Sequence, residues 1–158
     1  MSNKSPKTVV TSKEKAWAAF SEYVRVKECL ESTGLAFVGV CFTCQRRFHI
    51  SMLDAGHCFG GRRNARLFDI MCVRAQCRTW CNRMRHGEPE KFKKRLAEIY
   101  GEEWVENRRI RGLRVIKDNQ IDWAKLQKGV ERMRNTLFRK YGFKTFGEIL
   151  RESENLRG

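Results

Sequence analysis

Six of the seven cysteines in this chain fall between positions 41 and 81, and four of them form two close pairs, Cys41-x2-Cys44 and Cys77-x3-Cys81. No other feature limits the fold as strongly. Two thiolates a few residues apart on a tight turn can point at one ion, and zinc accepts four of them in a tetrahedron. Closing such a site contributes folding free energy to a domain with few strands of its own. An odd cysteine count without a secretory leader argues against a disulfide framework. The pairs therefore predict a structural Zn²⁺ held by Cys41, Cys44, Cys77 and Cys81. Because the second pair has an x3 spacing, Cys58 or Cys72 can substitute as a ligand. Cys29 reads as a small buried apolar residue.

The charge narrows the partner. Lys plus Arg total 33 against 18 Asp plus Glu in 158 residues, a formal net charge of +15. Such an excess calls for a polyanionic partner. With 41% hydrophobic residues, 11% aromatics and two prolines, the chain can build a core and is not a disordered tail. No run approaches the ~20 apolar residues of a membrane span, and the first residues, MSNKSPKTVVTSKEK, hold no signal-peptide stretch. The expectation is a soluble cytoplasmic protein with no membrane contact.

Residues 1–11 read as a loose N-terminus. Thr11 with Glu14 forms a capping-box pattern, and Trp17, Phe20, Val24 and Leu30 follow at helical spacing, predicting a helix over 12–31 closed by Gly34. Leu35 to Val40 reads as a short buried strand entering Cys41, and Cys41-Phe-Thr-Cys44 as a knuckle. Segments 46–50 and 52–57 are strand-like, as in a hairpin, and Gly60 to Asn64 is a loop. Cys81 to His86 reads as a short helix stopped by Gly87. Pro89 opens a helix to Tyr100, a second runs over 102–111, and Asp122 caps a long helix to Tyr141. A last helix is expected from Thr145 to Leu156. Residues 12–111 are read as the zinc-stabilised domain and 112–158 as a helical extension.

A second constellation lies between the cysteine pairs. Asp54, His57, Asn82 and His86 offer oxygen and nitrogen donors at the edge of the zinc scaffold, and a helix would place Asn82 and His86 on one face. Taken in order, Cys41-x2-Cys44, Asp54-Ala-Gly-His57, Leu67-Phe-Asp69, Gln76-Cys77, Cys81-Asn82 and Gly87 resemble the NinG/Rap family of recombination endonucleases of lambdoid phages. Glu90 through Tyr100-Gly101-Glu-Glu-Trp-Val-Glu106 and the helix opened by Ile121-Asp122 extend the likeness over roughly residues 14–140. More broadly the arrangement is similar to an HNH nuclease.

That resemblance implies an α+β fold: a small treble-clef zinc core with a ββα-metal, HNH-like hairpin, flanked by N- and C-terminal helices. It also implies a phage-encoded, structure-selective DNA endonuclease that cuts Holliday junctions and D-loops. His57 would be the general base. Asp54, Asn82 and His86 would hold a catalytic Mg²⁺ or Mn²⁺, and the four paired cysteines the structural zinc. The chain departs from the family in carrying Cys72-Val-Arg74 where Asn-x-His usually precedes Gln-Cys. Asn64 is the candidate replacement for that Asn. Trp80 is the extra residue of the second cysteine pair.

The chemistry suits these residue types. A neutral imidazole can take a proton from water near pH 7, and a divalent ion can neutralise charge on a phosphate oxygen. Arg62, Arg63, Arg66, Arg83 and Arg85 are the candidate DNA contacts, with further basic residues at 46–47, 91–95, 108–114 and 125–140. No aromatic-rich strand or recognition helix is evident, so backbone and shape readout is expected. Paired incisions at a junction suggest a homodimer through the outer faces of the 122–141 helix, and a host or phage recombinase is a possible further partner. The rival expectation is a non-catalytic zinc module that binds DNA or a recombination protein.

Overall fold

The structure, a computed structural model, describes residues 9–61 and 63–155. Its spine is α1 (Ser12–Thr33). Thr11 caps it reciprocally with Glu14: the Thr11 hydroxyl accepts from the Glu14 N–H at 3.2 Å, and the Glu14 carboxylate accepts from the Thr11 N–H at 2.7 Å. Gly34, at φ +77°, ends it in the left-handed conformation that glycine tolerates best. The buried face carries Ala16, Ala19, Phe20, Val24, Val26 and Cys29.

Two small antiparallel sheets lie against this helix. β1 (Val38–Val40) pairs with β2 (Arg47–His49), and the Cys41–Cys44 knuckle forms the turn between them. β3 (Leu53–His57) pairs instead with β4 (Val73–Cys77), Leu53 opposite Cys77 and His57 opposite Val73. The expected hairpin between 46–50 and 52–57 does not form. It would leave Ser51 alone as its loop, and an antiparallel hairpin needs about two residues to turn. A 3₁₀ turn at Ile50–Met52 carries the chain from one sheet to the other, with Ile50 fully buried as its pivot.

Between β3 and β4 the chain makes a loop containing the short helix α2 (Asn64–Leu67). A π-helix over Arg78–Met84 follows β4 directly, with Cys77 as its N-cap. Then come α3 (Pro89–Tyr100), α4 (Glu102–Arg111), α5 (Trp123–Lys140) and α6 (Phe146–Asn155). The segment beyond residue 111 completes the core. α5 lies along α1, its Val130 joining Phe20, Val24, Ala55 and Val73, while Phe138 and Ile149 of α6 join Val26, Cys29, Ile50 and Leu53. A separate cluster of Phe42, Cys58, Phe59, Cys72, Phe92, Leu96 and Val105 seats α3 and α4. The fold is α+β. Among the described residues no helix is long and apolar enough to cross a membrane.

Candidate metal centre

The knuckle, the end of β4 and the π-helix bring Cys41, Cys44, Cys77 and Cys81 together, with all four Sγ atoms within 4.8 Å of one another. The Cys44 and Cys77 sulfurs are 4.0 Å apart. A tetrahedral ion at zinc–thiolate bond length has sulfur–sulfur edges of about 3.8 Å, so this spacing needs little adjustment to hold one. Backbone amides point at the sulfurs: Cys77 N–H donates to Cys41 Sγ at 3.2 Å, and Cys81 N–H to Cys77 Sγ at 3.4 Å. Such bonds favour the thiolate form, which is the form that ligates. These four cysteines could therefore hold a metal ion such as zinc.

The thiol acidities have separable causes. Burial raises the Cys41 thiol, but amide hydrogen bonds from Cys44, Cys77 and Thr43 outweigh it and hold Cys41 below the usual value. Cys44 and Cys81 are raised, by burial first and then by neighbouring cluster sulfurs. A central cation would reverse that mutual repulsion. The other three cysteines lie apart. Burial pushes Cys29 and Cys58 up to about 12 and also raises Cys72, as befits neutral core thiols. Cys58 and Cys72 sit in the apolar cluster under α3, so the ligand set is the two close pairs.

Cys77 and Cys81, four residues apart, fall on one face, as i and i+4 residues of a helix do. Arg85 N–H donates to the Trp80 carbonyl at 3.0 Å, five residues back, the wide turn of a π-helix. Cys77 and Cys81 both stay on the cluster, and Trp80 is thrown outward with 52% of its surface exposed.

The second constellation is only partly assembled. Asp54 accepts from Arg78 Nε at 2.9 Å and from Asn82 Nδ2 at 3.0 Å, with Arg83 Nε at 3.9 Å. His57, three residues along β3, emerges on the opposite face by strand alternation. Its ring stacks on Trp17 with centroids 5.0 Å apart, and Nε2 lies 3.2 Å from the Leu67 carbonyl. A carbonyl only accepts, so Nε2 carries the proton and Nδ1 is the basic nitrogen of the neutral ring. His86 is exposed and lies beyond the π-helix at φ +51°, so the shared helical face expected for Asn82 and His86 is not formed. Among the described residues, the four cysteines are the one group of three or more His, Cys, Asp or Glu side chains close enough to hold an ion.

The arginines divide similarly. Arg83 is exposed, and Arg85 is exposed but paired with Glu88 at 2.6 Å. Arg63 is exposed and donates to the Leu113 carbonyl at 3.3 Å. Arg66 is turned inward, buried with its guanidinium over Phe59. Arg62 lies outside the described residues. Asn64 bonds the Ile116 carbonyl, Asp118 and Lys13, tying the 112–121 segment to α2. Where Asn and His are usual in the resembling family, Cys72 is a core thiol and Arg74 pairs with buried Glu28 at 2.8 Å.

Sequence reasoning missed a basic pocket of roughly 590 Å³ lined by Lys13, Arg63, Asn64, Arg114, Lys117 and Asp118. It adjoins one end of α2, while Leu67 at the other end meets His57. Four helical residues span about 6 Å, so the two features are close. Nothing local in the sequence links positions 13, 63 and 114. Comparison with known protein families, with curated proteins and with solved structures finds no match.

Proposed function

We propose that the chain is a metal-assisted endonuclease acting on branched DNA, of the NinG/Rap type its sequence resembles, built on a structural zinc held by Cys41, Cys44, Cys77 and Cys81. One observation carries this reading. β3 and β4 form an antiparallel pair followed at once by a helix, with His57 at the end of β3 and Asn82 in the helix, all tied to the four-cysteine cluster. That succession is the one a ββα-metal nuclease needs. In this reading His57 takes the proton of the attacking water. Asp54 and Asn82 are the oxygen donors that would hold Mg²⁺ or Mn²⁺, whose charge would ease phosphate attack. Arg78 would first have to leave Asp54, and Asp54 and Asn82 would have to be brought round from the strand face opposite His57. Lys13, Arg63, Arg114 and Lys117 bind backbone phosphates beside His57, and the net charge of +15 supplies the wider field.

A second reading rests on Asp54. Both of its oxygens are engaged, by Arg78 and Asn82, with Arg83 at 3.9 Å, and among the described residues no group of three His, Cys, Asp or Glu side chains that could hold an ion includes it. That arrangement suits a non-catalytic zinc module that binds DNA. Incubation of wild type and His57→Ala with a four-way junction, a D-loop and linear duplex in Mg²⁺ or Mn²⁺ separates the two. The nuclease reading expects cutting of the branched substrates, lowered about 10²-fold or more in His57→Ala with binding retained. A wild type that binds all three and cuts none establishes the second reading instead.

A further inference from the structure

Trp80 is a large exposed aromatic beside the metal centre. The cluster cysteines Cys77 and Cys81 flank it in the chain and fix its backbone, yet 52% of the residue faces solvent. Met84, one turn on, is 61% exposed. With Cys44, Arg46, Phe48, Cys81 and Arg85, Trp80 lines an open pocket of roughly 210 Å³. Of its two arginines, Arg46 is exposed. Arg85 is engaged by Glu88 at 2.6 Å, and Glu88 also takes Lys91 at 2.9 Å.

A large flat apolar ring on a cationic surface has a specific complement. The ligand must offer an aromatic face and carry negative charge beside it. A nucleotide does both, because every base has a π-face and hangs on a phosphate. Paired bases inside a duplex are stacked on one another and cannot offer that face. A Trp ringed by arginine also occurs at protein interfaces, and the net charge of +15 is what favours a polyanion here.

We propose that Trp80 is a stacking platform for an unpaired or unstacked base, with Arg46, which lines the same pocket, on the flanking phosphate. The inference rests on the nucleic-acid reading above and sharpens it: a branch point is where duplex DNA presents such bases. It gives the chain a physical means of preferring a branch over a linear duplex.

The test uses the full chain and Trp80→Ala, Trp80→Leu and Trp80→Phe, each shown to be folded by circular dichroism and thermal melting. The probes are a short single strand carrying 2-aminopurine, a four-way junction with 2-aminopurine at the branch, and a blunt duplex of the same sequence. Wild type should quench 2-aminopurine in the first two probes. Trp80→Ala and Trp80→Leu should bind the single strand about tenfold more weakly while duplex affinity stays within about twofold, as expected for loss of one stacked base, and Trp80→Phe should keep most of the binding. The leucine variant keeps bulk but has no π-face, so it distinguishes stacking from packing. Single-strand binding unchanged in Trp80→Ala and Trp80→Leu, or lost equally on duplex, overturns the role of Trp80 and leaves the nucleic-acid reading standing. A wild type that binds none of the probes overturns both, and leaves the patch to a protein partner.

Discussion

The Gln76 side chain joins three stretches that the sequence keeps apart. Fully buried, it donates to Thr43 Oγ1 of the knuckle at 2.6 Å and to the Gly87 carbonyl beyond the π-helix at 2.7 Å. Its Oε1 lies over Gly56, where an added Cβ would stand 1.9 Å from that oxygen and 2.7 Å from Cδ. This contact explains why Asp54-Ala-Gly-His57, Gln76-Cys77 and Gly87 occur together: glycine in β3 makes the room that Gln76 needs. The motifs are legible in the sequence as a set, but the interlock is not, because it depends on a register between strands distant in the chain. Gly56→Ala should push Gln76 off both acceptors and cost about 2 kcal/mol, in the range of core overpacking. Thermal melting should show a lower midpoint. An unchanged midpoint would mean that Gln76 relaxes freely and does not brace the knuckle.

Helices were the most legible elements because their ends are written locally. The Thr11–Glu14 box, Gly34, Pro89 and Asp122 each stand at the expected boundary. Strand pairing was less so. The segments around 48 and 55 both look like strands, and only the impossibility of a one-residue loop shows that they cannot pair with each other. The π-turn was hidden for a related reason. The x3 spacing of Cys77 and Cys81 suits one face of a helix, while the five-residue hydrogen bond from Arg85 to Trp80 is a matter of backbone geometry. Among caps, Asp122 is the simplest to test: it accepts from Lys125 N–H at 2.9 Å at the start of α5. Asp122→Ala should cost about 1 kcal/mol. Chemical denaturation should show a lower midpoint with an unchanged slope, and a reduced slope would instead point to α5 unfolding separately from α1.

At the scale of the whole molecule, the cysteines and the charge have different tasks. Cys41, Cys44, Cys77 and Cys81 draw together the knuckle, β4 and the π-helix, which between them set the positions of Asp54, Asn82 and Trp80. Arg46, Arg47, Arg63 and Arg83 are exposed, whereas Arg66 is buried and Arg74 is paired with Glu28. The cysteine pairs made the first task readable from spacing alone. The second was readable only as a sum, because the Lys13–Arg63–Arg114 pocket assembles from three distant segments. The account stands or falls on the metal centre, since four clustered thiols, three of them buried, bind these pieces firmly together only around an ion. The most direct measurement is metal content per chain, by elemental analysis of the purified protein beside Cys81→Ser. The account predicts one zinc per wild-type chain, and in Cys81→Ser a large loss of zinc with a lowered melting temperature. Wild type with far less than one zinc per chain, still folded and melting cooperatively in a chelator, would contradict it.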